Sequence, residues 1–84
     1  MNTLFLLLAE FETGIIPLDD IAAKYLGLSP AQARRRAASQ ALPFPVHKAI
    51  SSQKAPWLVS AHDFARHLDQ QREAARSEWN ALNG

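Results

Sequence analysis

The side chains most suited to acid–base or metal chemistry in this 84-residue sequence are three histidines and eight carboxylates, and there is no cysteine. His62, Asp63 and His67 form an H-D-x-x-x-H pattern. Helical positions five apart diverge by ~140°, a poor metal pair compared with i, i+4. His62 reads better as a capping residue and His67 as a surface histidine. No Ser-His-acid order and no glycine-rich phosphate loop is present. The sequence therefore predicts no enzyme, no metal and no cofactor. Without cysteine there is no disulfide framework, thiolate site or Cys nucleophile, which fits a reducing cytoplasm.

The chemistry that stands out is cationic. Residues 29–40, SPAQARRRAASQ, place Arg34, Arg35 and Arg36 side by side. On a helix three such guanidiniums fan across about 200° of the circumference. They also sit in the basic part of the chain. Residues 1–29 set Lys24 against Glu10, Glu12, Asp19 and Asp20, whereas residues 30–57 carry Arg34, Arg35, Arg36, Lys48 and Lys54 with no acid. Residues 58–84 set Arg66, Arg72 and Arg76 against Asp63, Asp69, Glu73 and Glu78. A net charge of +1 thus hides a strongly basic middle third. Most charge runs are only solvated helix faces, so the elements around the arginines must decide between water and a polyanion.

A chain of this length makes one domain with a modest core. Residues 1–12 form an apolar N-terminal segment, MNTLFLLLAEFE. It lacks a basic leader and is too short to span a bilayer. Its composition favours a helix over 3–11 capped by Asn2 or Thr3, with a buried strand as the alternative. Residues 17–42 hold two helices. Leu18, Ile21, Ala22, Tyr25 and Leu26 make one apolar stripe, Pro17 suits a first turn, and Gly27 a left-handed end. Ser29, Pro30 and Gln32 supply the N-cap, first position and capping box of the next helix. Its inner stripe is Ala33 and Ala37, with Leu28 and Leu42 as anchors. Residues 45–59 predict a hairpin wing, with strands at 46–50 and 57–59 around a loop at 51–56. Residues 61–82 predict a final helix, capped by Ser60 or His62. The fold expected is mainly α with a small β-hairpin, a winged helix-turn-helix.

In that fold the second helix enters the DNA major groove, its N-terminal half nearest the base edges. Ser29 begins that helix, Ala31, Gln32, Arg35, Arg36 and Ser39 face outward, and Arg34 lies at the flank. Gln pairs with adenine and Arg with guanine, so Gln32 and Arg35 are the expected base readers. Arg34 and Arg36 diverge towards phosphates. On the wing, Lys48, Gln53 and Lys54 suit backbone or minor-groove contact. Trp57 and Trp79 have the ring faces that single-strand binders use, but a hairpin tryptophan such as Trp57 more often packs on neighbouring helices. Tyr25, Phe44 and Phe64 read as core.

Residues 16–69 follow the excisionase/MerR-like winged-helix pattern, and more narrowly MNTLFLLLAEFE, IIPLDDIAAKYLGLSP and SSQKAPWLV resemble the pyocin activator protein PrtN family over nearly the whole chain. SQKAPW, Ser52 to Trp57, is the most specific part. The resemblance implies a cytoplasmic, nucleoid-associated transcriptional activator that binds double-stranded promoter DNA ahead of bacteriocin or prophage-tail genes. Direct contact with RNA polymerase is left open. Excisionase-like modules usually carry glycine near the end of the second helix, where this chain has Ser39-Gln40-Ala41. No base-contact role is carried onto His47. Two rival classes share the features above: an excisionase-like architectural DNA-bending protein, and a protein-interaction adaptor whose arginines meet an acidic partner. Leu4 to Leu8, and the spacing of Ala61, Leu68, Ala75 and Leu82, add the expectation of a homodimer or higher assembly, with the N-terminal run as the preferred contact.

Overall fold

The apolar N-terminal run becomes a helix because the sequence gives it a start and a stop. In the computed structural model, which describes residues 2–84, helix α1 spans Thr3–Phe11. Met1, the first residue of the apolar segment, lies outside the described residues. The Asn2 side-chain oxygen accepts the Phe5 N–H at 3.0 Å, the N-cap expected of that residue. The helix stops at Glu12, which adopts a left-handed φ of 59°. Only Leu7 of this helix is fully buried. Leu4 and Phe11 pack against the core, while Phe5, Leu6 and Leu8 remain exposed.

Strand β1, Ile15–Pro17, leads directly into helix α2, Leu18–Ile21, which winds on as a π-helical turn through Ala22–Leu26. Pro17 is the last strand residue rather than a first-turn residue. Gly27 ends the turn at φ 65°, the left-handed cap its type predicts. Helix α3, Pro30–Ala38, then opens on the expected capping box. Gln32 N–H donates to the Ser29 hydroxyl at 3.2 Å, and the Gln32 side-chain oxygen accepts the Ser29 N–H at 3.0 Å. Ala33 and Ala37 are fully buried, so the second helix lies close against the first.

The small sheet is present, but its partners differ from those expected. Strand β2, Leu58–Ser60, pairs antiparallel with β1, in register Ile15 to Ser60, Ile16 to Val59 and Pro17 to Leu58. The expected strand over 46–50 is reduced to one bridge, in which His47 and Leu58 exchange backbone hydrogen bonds of 2.9 and 2.7 Å. The physical reason lies in the sequences that compete. Ile15 and Ile16 are β-branched and Ile16 is fully buried, whereas in the expected strand Val46 is only half-buried and Ile50 is exposed, with the polar, turn-prone 51–56 following it. Pro17 has no N–H to give, and the Leu18 N–H bonds the Trp57 carbonyl instead, at 2.9 Å.

Helix α4, Ala61–Asn83, closes the core with Ala61, Phe64 and Ala65. Ser60 occupies its N-cap position without a side-chain hydrogen bond, and His62 is already inside the helix. From Asp69 onward every residue is exposed, and with this projecting helix the molecule measures 50 × 26 × 17 Å. None of the helices among the described residues is long and apolar enough to cross a membrane.

Helix α1 is pinned to the π-helical turn at Glu10. Its carboxylate accepts the Tyr25 hydroxyl at 2.7 Å and pairs with the Lys24 ammonium. The Lys24 and Tyr25 bonds hold the Glu10 carboxyl below the usual carboxylate range. Burial first, then the bond to Glu10, pushes the Tyr25 phenol up to about 12. A phenol raised in this way stabilises the fold in its neutral form. That contribution is whole below the unfolded value of ~10 and is lost as pH climbs towards 12. Tyr25 is the single tyrosine, so the ultraviolet signal of tyrosinate reports it alone. We expect a midpoint near 12 in the folded protein and near ~10 in denaturant, with Glu10→Gln lowering the folded value. A folded midpoint equal to the denatured one would show that the pin is absent in solution.

Candidate nucleic-acid interface

Helix α3 is amphipathic in an unusual sense: alanine inward, guanidinium outward. The capping box fixes its first turn, and the buried Ala33 and Ala37 leave residues 31, 32, 34, 35, 36, 38 and 39 exposed. Ser29 and Ala31 lie exposed at its N-terminal end. Gln32, Arg35, Arg36 and Ser39 line one shallow groove. Arg34, Gln53 and Lys54 line another, together with Pro17, Asp19 and residues 55–57. Arg36 thus shares a groove with Gln32 and Arg35, whereas Arg34 lies with the tip of the 52–57 loop.

The side chains differ in how far they are already committed. Arg35 and Arg36 make no side-chain hydrogen bond or ion pair among the described residues, so both heads are available to a ligand. Arg34 is partly engaged. Its Nε donates to the Pro30 carbonyl at 3.1 Å and stands 3.8 Å from an Asp19 carboxylate oxygen. Gln32 has lent its amide oxygen to the cap, leaving the NH2 group as its free donor. The Ser39 hydroxyl donates back to the carbonyls of Arg35 and Arg36, at 3.2 Å each, and so serves the helix end.

Lys48 does not point outward with the others. Its ammonium donates to the Ser52 carbonyl at 2.9 Å and lies 4.8 Å from the centre of the Trp57 ring. The half-buried lysine braces the base of the loop, and Trp57 serves as its platform. Gln53 and Lys54 remain exposed at the tip. Asp19 and Trp57 were not expected near the cationic surface. Asp19 reads from sequence as a helix-dipole residue, and nothing in the local pattern signals that it faces Arg34.

A short first helix, a tight capped turn and a second helix with two free arginines are consistent with a small fold of the helix-turn-helix kind. Residues 3–75 match the family described as Pyocin activator protein PrtN, and the chain belongs to that family. No curated protein and no solved structure matches it. The family is one of regulatory activators of pyocin genes.

The end of α3 explains how the chain manages without the glycine usual there. Gln40 takes the left-handed conformation, φ 54°. The Ala41 N–H bonds the Arg36 carbonyl at 2.8 Å and the Gln40 N–H bonds Ala37 at 3.1 Å, the paired bonds of a Schellman end. A non-glycine residue in this conformation costs about 1–2 kcal/mol. Gln40→Gly should therefore raise stability, by up to about 1 kcal/mol after the entropy of the unfolded glycine is subtracted. Denaturant unfolding reads the change. A loss of stability would mean that the Gln40 side chain has a role the structure does not show.

Proposed function

We propose that the protein is a sequence-specific, double-stranded DNA-binding transcriptional activator of bacteriocin or prophage-tail genes, acting in the cytoplasm as a homodimer. The reading rests chiefly on one observation: Arg35 and Arg36 project unpartnered from a slim helix whose other face is buried alanine. Guanidiniums held this way fit the pair of acceptors, N7 and O6, that guanine offers in the major groove and the phosphates that line it. Family membership supports the activator role.

In this mechanism α3 lies in the major groove, with Arg35 as principal base reader and Arg36 on the backbone. Gln32 contributes through its free NH2 group, since its oxygen already serves the cap. Ser29 and Ala31 mark the end of the helix nearest the bases. Ser39 keeps the helix end closed. Arg34, Gln53 and Lys54 approach a neighbouring phosphate from the second groove, with Lys48 holding their loop in place. Asp19 tempers that contact, because its charge offsets part of Arg34 at 3.8 Å.

Arg35→Ala should cost about 1–3 kcal/mol on a selected duplex and relax base preference. Arg34→Ala should weaken binding to all sequences alike, with a fall in salt dependence smaller than a whole charge because Asp19 already offsets it. Asp19→Asn should tighten binding uniformly. Fluorescence anisotropy over a salt series measures all three, and salt-independent affinity would favour a protein-interaction adaptor instead. Bending of DNA without promoter activation would mark an architectural protein. Separately, Lys54→Glu should weaken DNA binding with an unchanged circular-dichroism spectrum, as expected of a loop tip. Unchanged affinity would move the loop away from the duplex.

A further inference from the structure

The part of α4 that leaves the body carries an apolar stripe with nothing against it. Ala61, Ala65, Leu68, Arg72, Ala75, Trp79 and Leu82 alternate in steps of four and three along the helix, the spacing of a coiled-coil seam. Its first part is the stripe that packs the core: Ala61 and Ala65 are buried and Leu68 is partly so. The same line then runs out of the body, where Trp79 is 62% and Leu82 80% exposed. At the junction, Leu6, Leu7, Tyr25 and Leu68 line a groove between α1 and α4, and Leu6 is 52% exposed. Trp79 and Leu82 lie beyond the residues matched by the family.

We propose that the occupant is the α4 helix of a second copy, running antiparallel, with its Trp79 seated in that groove. The inference rests on the homodimer of the proposed function and names its contact. Two features of the seam select antiparallel over parallel pairing. In a parallel pair each residue meets its own copy, so Arg72 would face Arg72 and Trp79 would face Trp79, with like charges opposed at the centre. In the antiparallel register that seats Trp79 against Leu68, Arg72 faces Ala75, so each of these large side chains meets a smaller one. Every such contact occurs twice by the two-fold axis.

Charge follows the same register. Asp69 and Arg76 flank the seam on one side, and antiparallel pairing brings Asp69 of each copy near Arg76 of the other. One oxygen of Asp69 accepts from Thr3 and, at 3.2 Å, from Arg72. Its second oxygen has no partner among the described residues. Arg76 likewise makes no ion pair within the chain among the described residues. Parallel pairing offers Arg76 only Gln71, and Glu78 only Asn83.

Sedimentation of the full chain without DNA tests this. The wild-type protein should be a dimer at micromolar concentration, and Trp79→Ala should raise its dissociation constant by about tenfold or more. The circular-dichroism spectrum should be retained, since Trp79 lies outside the core. Cysteine cross-linking fixes direction on a chain that has no cysteine of its own. Mixed Arg72→Cys and Ala75→Cys chains should join to each other in preference to themselves. A monomer at every concentration would overturn self-association and this contact together, leaving the DNA reading in place. A dimer indifferent to Trp79→Ala, or cysteines that pair only with their own kind, would overturn the contact alone.

Discussion

The fold is hung on one aromatic ring. Phe64, fully buried at the start of α4, meets Tyr25 edge-on at 5.1 Å and Phe44 at 5.2 Å. Those two rings belong to the π-helical turn before α3 and to the segment after it. A single contact therefore joins the last helix to both sides of the arginine-bearing one. Replacing a buried phenylalanine by alanine typically removes about 3–5 kcal/mol, a large share of what a domain of this size has. The exposed pairs elsewhere are minor beside it. Arg34 with Asp19 and Arg72 with Asp69 are half or more open to water, where ion pairs contribute little.

Placement of α3 by alanine rather than by large side chains has a direct effect on the surface it offers. Ala33 and Ala37 bring the helix close to its neighbour, so most of its circumference is left outside. The cations of the basic segment are graded by their neighbours: on α3, Arg35 and Arg36 are free and Arg34 is shared with Asp19, while beyond it Lys48 is withdrawn onto Trp57. A basic sequence segment is thus sorted into groups that can meet a ligand and groups that hold the frame.

Local signals in the sequence were legible where one residue does one job nearby. Asn2, Ser29 with Gln32, Pro30 and Gly27 each cap or turn a helix where their chemistry places them. Partners distant in the chain were not legible. Leu58 lies between Pro17 and His47, and the choice of its main partner depends on which neighbour offers an inward isoleucine. Lys48 looked like a surface cation because alternation cannot show that Trp57 and the Ser52 carbonyl await it. Gln40 shows the reverse case, a position where backbone geometry overrides side-chain preference. Of the cationic residues, the sequence located the surface but not its internal partners.

The π-helical turn at Ala22–Leu26 has a bearing on how this module can change over time. Its carbonyl at Ala22 accepts from both Gly27 and Leu28, a turn wound with one residue more than an α-turn would hold. Such a turn is rare and mostly occurs singly, one residue in excess of regular winding. Losing that residue would restore regular winding but swing Tyr25 by about 100° relative to what precedes it, away from Phe11 and Glu10. A one-residue change of length here would therefore unpin α1 from the turn. Between Leu18 and Gly27 it is the number of residues that sets where Tyr25 meets Glu10 and Phe11.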